Sequence, residues 1–437
     1  MIEKTSRSIG FGREAAIVFT LKVSSLVLGL VLTMLLARLL GPVGFGVYSF
    51  IIALASLLIL PAHAGLGTLL LRETATGYAL KEWSRVRGIW VWCSRISFLA
   101  SIVLLIIVGL SLYLMRDKLS TEQFSAASAG LLLIPFLIAN TLRIAVMRGI
   151  GETIKGLFLE ALLKPLILVA GVLFLSLISN LSSATALIMN VIATSTVVVV
   201  GFVWFAKLRS LEISLATPKF LHAFWISAVL PLAFLMGTQI FIKYTDVVML
   251  GVLTTAGDVG QYRIAAQAAE LVIFVLVGIT MVMAPRIARL HALGSVDALQ
   301  KLVSTAGRLS FSFALLIFGA FFVLAENMIG WVFGTEYIES VKPLLILAAG
   351  QVGVAFFGVA PSILKMTRNE RSSLWVFSFA ALLNVLLNAT LIPRYGISGA
   401  AIATSFSLVV AHAALSITVK RSLDIQTIPF HIKIRKN

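Results

Sequence analysis

One cysteine, Cys93, occurs in 437 residues, and only 12% of the chain is Asp, Glu, Lys or Arg. A single thiol excludes a disulfide framework and any cluster of cysteine ligands for a metal. So little charge, with 59% hydrophobic residues and a mean hydropathy of +1.04, excludes a soluble fold of this length. Catalytic motifs are missing too. There is no Walker A sequence, no His-Glu-x-x-His, no Gly-x-Ser-x-Gly and no Asp-x-Asp. The glycines of Gly41–Gly46 fall between two apolar runs rather than in a strand–turn–helix, so they do not form a nucleotide loop. No large hydrophilic loop is present either, the longest being about 325–341. A membrane-embedded polymerase or ligase, which usually carries such a loop or an acid motif, is therefore a distant alternative. The chain reads as a non-enzyme. Acids are scarce, 18 against 35 Lys and Arg. The resulting charge of +17 is spread over short loops with no basic domain, which argues against nucleic acid as a partner.

What is present is a series of apolar stretches long enough to cross a bilayer. They lie at 15–38, 44–71, 88–114, 125–147, 156–178, 184–206, 221–247, 259–285, 301–324, 342–364, 372–392 and 396–419. The segment before the first is polar, so no cleavable signal pattern is expected. An even number of spans puts both termini on one side. The segments on that side hold 23 Lys and Arg and the opposite loops hold five (Arg38, Arg116, Lys118, Lys342, Arg394). The positive-inside rule makes the richer side, with both termini, cytoplasmic. The expected fold is an all-α integral membrane protein of about twelve helices in two six-helix lobes, 1–210 and 211–437. Weak echoes support the duplication. Gly44-Phe45-Gly46-Val47-Tyr48 opens the second span as Gly260-Gln261-Tyr262 opens the eighth, and Met147-Arg148-Gly149 has a counterpart in Met366-Thr367-Arg368. Parallel repeats around a central cavity are a transporter architecture, working by rocking of the lobes.

Ala37-Arg38-Leu39-Leu40-Gly41-Pro42-Val43-Gly44-Phe45-Gly46-Val47-Tyr48 resembles the first-hairpin motif of Wzx-type polysaccharide flippases, members of the superfamily that holds the MATE multidrug exporters and the lipid II flippase. Val332-Phe333-Gly334-Thr335-Glu336-Tyr337 and Pro393-Arg394-Tyr395-Gly396-Ile397-Ser398-Gly399-Ala400 resemble further stretches of the same family. The resemblance implies a MATE-like fold. It also implies movement of a polyprenyl (undecaprenyl)-pyrophosphate-linked oligosaccharide to the outer leaflet of a bacterial inner membrane, for O-antigen, capsule or exopolysaccharide. No cofactor is implied. Partners would be the lipid-linked oligosaccharide, membrane lipid and, in the wider assembly, a polysaccharide polymerase. The runner-up is an ion-coupled MATE-like drug exporter. Multidrug members of one branch of that family carry a functional Asp in the first span, where this chain has Lys22 and no acid between Glu14 and Glu73.

Seven cations remain inside the spans, and ions at depth are expensive enough to suggest function. Arg308 sits close enough to a span end to snorkel. Lys22, Arg95, Arg143 and Lys164 fall in the inner half of the N-terminal lobe, opposed in the spans by Glu160 alone. They are candidates for holding the pyrophosphate, Arg by bidentate contact and Lys as a point charge. The plainer alternative is snorkelling or local pairing, such as Glu160 with Lys164 at i, i+4. In the C-terminal lobe, Gln239, Lys243 and Asp246 on span 7 face Arg263, Gln267 and Glu270 on span 8. Antiparallel packing would bring Asp246 level with Arg263, Lys243 with Gln267 and Gln239 with Glu270. These six are either a proton or sodium coupling site or a structural polar zipper. His63, Asn140, Gln351, Asn384, Asn388 and His412 are candidate linings of a wet sugar path, with interhelical hydrogen bonding as the bland alternative. Trp90, Trp92, Trp225 and Trp331 are expected in the interfacial aromatic belt. Pro61, Pro135, Pro165, Pro231 and Pro361 are expected to kink their spans.

Overall fold

The computed structural model describes residues 2–430 apart from 64, 179 and 368; the side chains of 2–15, 61, 62, 235, 239, 281, 285 and 370 lie outside that description. The described residues are helical with no strand, as a chain bound for lipid requires, because each helix satisfies its own backbone hydrogen bonds. Three helices begin at capping boxes that close off free N–H groups: Thr121–Gly149 at Ser120 and Gln123, Ser183–Leu208 at Ser182 and Thr185, and Ala256–Ala269 at Thr255 and Asp258. Such local caps explain how connections of a few residues suffice.

Among the described residues, nine helices are long and apolar enough to span, or ten with the bent helix His222–Leu253. The helices with the longest apolar runs are broken inside. Ile2–Leu58 is interrupted at Gly41 (φ 65°, ψ 176°) before Pro42, and Glu370–Leu423 at Gly396 (φ 54°, ψ −134°) after Pro393. Both dihedral pairs lie outside what a side chain with a Cβ adopts comfortably, so glycine is what lets the chain change direction there. The 43 residues Ala16–Leu58 would measure about 64 Å as one rod, against a hydrocarbon core of about 30 Å.

The chain divides into two compact units, Met1–Tyr244 and Thr245–Asn437. In the first unit, Leu66, Leu69, Leu70, Ile89, Cys93 and Leu142 pack around Trp92 and Trp225. This corrects the aromatic-belt expectation for those two tryptophans. Trp225 is fully buried, its ring 5.3 Å from that of Trp92, and it points its indole N–H at Glu73 (3.4 Å). A large ring with a polar handle is worth more against a buried carboxylate than at the lipid surface. Trp331, by contrast, is exposed.

Glu73 is itself buried and receives Arg85 through Nε (3.0 Å) and Nη2 (2.7 Å). Beside it, Arg87 Nη1 donates to the carbonyls of Ser214 (2.7 Å) and Ala216 (2.6 Å), and Lys219 N–H donates to Ser84 O (2.9 Å). The connection around 210–221 is thereby fastened to the first turns of Trp83–Leu114. In the second unit, Leu276, Ile287, Val303, Val354, Ile363, Leu415 and Val419 form the core.

The prolines act differently from one another. The helix His222–Leu253 bends by 49° between Thr238 and Ile240, not at Pro231, and Gly237 stands beside that bend. Pro361 starts the helix Ala360–Met366 rather than kinking one, since its missing N–H costs nothing at a first turn. Pro165 follows a π turn, Leu159–Leu163. It cannot donate to the carbonyl four residues back and its ring crowds that carbonyl; the widened turn relieves both.

Candidate functional site

The π turn positions a charged cluster of the first unit. Glu160 lies on it and Lys164 follows it, while Asn140 and Arg143 project from Thr121–Gly149. Arg143 is 1% exposed. Its Nε–H and Nη2–H both donate to Asn140 Oδ1, at 3.0 and 2.8 Å. The other end of the same amide, Nδ2–H, donates to Glu160 Oε2 at 2.8 Å. Because a guanidinium can only donate and a carboxylate only accept, this orientation of the Asn140 amide satisfies both neighbours. Glu160 stands 3.8 Å from Arg143 Nη2 and 3.7 Å from Lys164 Nζ. Gly201, on Ser183–Leu208, makes room for the arginine: a Cβ there would lie 2.1 Å from Arg143 Cδ. Arg143 Nη1 is buried and has no hydrogen-bond partner among the described residues. A buried, unsatisfied donor on a charged group is costly and calls for an explanation.

Of the four cations expected to act together, the structure thus joins Arg143 and Lys164 through Glu160 and Asn140. Lys22 and Arg95 are exposed, and among the described residues neither forms a hydrogen bond or ion pair with this cluster. Asn140, a candidate for a sugar path or for interhelical hydrogen bonding, bridges the cluster between Arg143 and Glu160. A second polar chain in the first unit gave no clear signal in the sequence: Asn190 Nδ2 donates to the Tyr48 hydroxyl (2.8 Å), and Thr194 Oγ1 to Asn190 Oδ1 (3.2 Å). An Asn within an apolar run was its one visible sign.

The second unit holds a buried carboxylate. Asp246, 5% exposed, accepts hydrogen bonds from the Tyr262 hydroxyl, from Thr404 Oγ1 at 3.1 Å and from the Val247 N–H at 3.0 Å. Asn384 Nδ2 donates to Thr404 Oγ1 (3.3 Å), and Asn388 Nδ2 to Asn384 Oδ1 (3.0 Å). The partner taken by Asp246 is therefore Tyr262, one position before Arg263, and no Asp246–Arg263 ion pair forms among the described residues. Successive helical residues point about 100° apart, so spacing gives the level of the pair but not which of the two neighbours bonds to the carboxylate. Gln267 is half-buried, and Glu270 is exposed at the start of the 3-10 turn Glu270–Ile273. Lys243, in the first unit, is exposed, with Nζ 5.8 Å from the Tyr244 ring centre. The Gln239 side chain lies outside the described residues.

Asn384 and Asn388 are buried in the Asp246 network. Gln351 and His412 do share a cavity of about 330 Å³ in the second unit, lined also by Thr280, Ser362, Leu276 and Leu408. The Nδ1 of His412 lies 2.9 Å from Leu408 O, and that of His63 2.8 Å from Ile59 O, each four residues back in the chain. Among the described residues no group of three or more His, Cys, Asp or Glu is placed to hold a metal ion.

The described residues form an all-helical, multi-pass membrane protein with buried polar clusters, and solved structures agree on the fold. An inward-facing MATE family multidrug resistance transporter superposes with a TM-score of 0.78 at 14% identity, over 94% of this chain and 98% of that one. The lipid II flippase MurJ, in an inward closed conformation, gives 0.73 at 15% identity over 92% and 87%. Residues 35–342 match the family described as polysaccharide biosynthesis protein, and the chain belongs to that family. It is also 24% identical over 381 residues to a probable low-salt glycan biosynthesis flippase, Agl15, of Haloferax volcanii, covering 86% of this chain and 76% of that protein.

Proposed function

We propose that the protein is a flippase carrying a polyprenyl-pyrophosphate-linked oligosaccharide from the cytoplasmic to the outer leaflet. The observation that carries the reading is the Arg143 cluster: a fully buried guanidinium with an unused donor, joined to Lys164 through Glu160. Such a group suits a diphosphate, whose oxygens accept from the planar fork. Family membership and the resemblance to a glycan flippase support it.

In this reading each broken helix, at Gly41 and at Gly396, counts as two spans and the bent helix His222–Leu253 as one, so twelve spans form two lobes with both termini cytoplasmic. Lys22 and Arg95 provide an outer electrostatic approach to the cluster. The sugar head group crosses inside the protein, where hydroxyls exchange water for side-chain partners, while the prenyl chain stays in lipid. Unaided crossing is prohibitive because a charged, polyhydroxylated head would shed its hydration in hydrocarbon. Alternating access by rocking of the lobes moves the head between leaflets. Asp246, held by Tyr262 and Thr404, is the site where binding of a proton or sodium ion couples to that movement. The cargo is a surface-polysaccharide precursor (O-antigen, capsule or exopolysaccharide) on an undecaprenyl carrier of a bacterial inner membrane, with a polymerase acting on the delivered product.

The test is flipping of a fluorescent undecaprenyl-pyrophosphate oligosaccharide in proteoliposomes, for the wild type, Arg143→Ala and Lys164→Ala. Protein-dependent flipping that is lost in both variants supports the assignment. Flipping that survives both removes the diphosphate site. Absence of flipping with several glycans, together with efflux of organic cations, would replace this reading with that of a drug exporter.

A further inference from the structure

We propose that Glu160 is a built-in stand-in for the substrate's anionic group. It occupies the cation cluster when no substrate is bound, and an incoming diphosphate must displace it. The inference rests on the reading of Arg143 and Lys164 as the diphosphate site and adds a specificity-determining residue to it.

Three observations point this way. First, Glu160 is the outermost member of the cluster. Its side chain is 36% exposed, against 16% for Lys164 and 0% for Arg143, so an anion approaching the cations meets the carboxylate before it meets the guanidinium. Second, Glu160 holds the cluster loosely. It stands 3.8 Å from Arg143 and 3.7 Å from Lys164, beyond the 2.7–2.9 Å of a close charge-assisted hydrogen bond. Its one close bond is the 2.8 Å contact from Asn140 Nδ2, a neutral donor. Third, Arg143 does not depend on Glu160 for its position. Its Nε and Nη2 are fixed by Asn140 Oδ1, and Gly201 packs on its stem, so the guanidinium stays in place when the carboxylate leaves. Nη1 then remains available to a new acceptor.

The charge balance explains why such a residue would be kept. Two cations buried without an anion would be severely penalised, and one carboxylate leaves a single net positive charge. A diphosphate diester brings two negative charges, which the two cations match once Glu160 has swung out. The carboxylate therefore sets a threshold: a compact anion such as inorganic phosphate gains too little to displace it, and a diphosphate, which spans both cations, displaces it. After flipping, its return helps expel the product.

The test is binding of farnesyl diphosphate and of inorganic phosphate to the detergent-solubilised full chain, by calorimetry, for the wild type, Glu160→Gln, Glu160→Asp, Arg143→Met and Lys164→Ala. Glu160→Gln retains an acceptor for Asn140 and so preserves the fold. It is expected to bind farnesyl diphosphate at least five-fold more tightly, to gain measurable phosphate binding, and in proteoliposomes to lower both KM and turnover. Glu160→Asp, which keeps the charge, should stay near wild type. Unchanged or weaker binding by Glu160→Gln, alongside loss of binding in Arg143→Met and Lys164→Ala, overturns the role of Glu160 and leaves the diphosphate site standing. Unchanged binding in those last two variants overturns the site, and the inference with it.

Discussion

Adding a single methyl group at Gly201 should disable the Arg143 cluster without touching any charge. The ideal Cβ of Gly201→Ala would lie 2.1 Å from Arg143 Cδ, 2.9 Å from Cγ and 3.0 Å from Nε. Carbon atoms sit comfortably at about 3.5–4.0 Å, so the arginine stem must retreat by more than about 1 Å. The neighbours leave no room for that shift, because the side chain is fully enclosed. Overpacking of this kind costs about 1–3 kcal/mol. The retreat also stretches the bonds of 3.0 and 2.8 Å to Asn140 beyond useful length. Hydrogen bonds to charged groups contribute about 1.5–3 kcal/mol each, so loss of both adds about 3–6 kcal/mol, more than the overpacking itself. The prediction is a protein that still inserts, with a lower thermal midpoint in detergent and substrate flipping reduced to background. Arg143→Met should be more stable when combined with Gly201→Ala than the separate effects imply, since the flexible thioether can bend away from the new methyl. Wild-type flipping and an unchanged midpoint in Gly201→Ala would refute the packing argument, as would strict additivity in the double variant.

Arg85→Met should be among the most destabilising changes outside the spans, by about 3–5 kcal/mol, because it strands the buried Glu73; adding Glu73→Gln should restore much of the loss, read as thermal stability in detergent. Gly88→Ala should release the connection around 210–221, since its Cβ would meet Lys219 O at 1.9 Å; limited proteolysis should then cut there in the variant and spare the wild type. Asp246→Asn should retain the hydrogen bonds from Thr404 and Tyr262 yet lose any dependence of flipping on a sodium or proton gradient; a gradient response equal to wild type would remove Asp246 from coupling. Thr404→Val should weaken the same response while preserving the fold, because it deletes one donor of the network.

How far the sequence reaches depends on what each residue's role requires. Pro165 and the Glu160/Lys164 spacing are local facts, and the ion pair they suggest is present, although the π turn between them shows only in the fold. The polar stripe Gln239, Lys243, Asp246 could be seen as a helix face, but the choice of Tyr262 over Arg263 as the partner of Asp246 depends on helix rotation, which spacing does not carry. Trp92 and Trp225 looked like interface residues because they stand near span ends; they are core because each end packs on another helix.

Sequence alone determined the membrane class, the helical content and the side expected to face the cytoplasm. Those follow from solvation: apolar runs must leave water, their backbone must bond to itself, and loop cations resist translocation. Only the tertiary structure decided which buried charges meet. The bond from Arg143 to Asn140 is local, three residues back on one helix, but the burial of Arg143 against Gly201 and the place of Glu160 in front of it join residues 58 and 17 positions away in the chain. Charges separated in sequence interact only where packing brings them within a few ångströms, and that distance is a property of the fold.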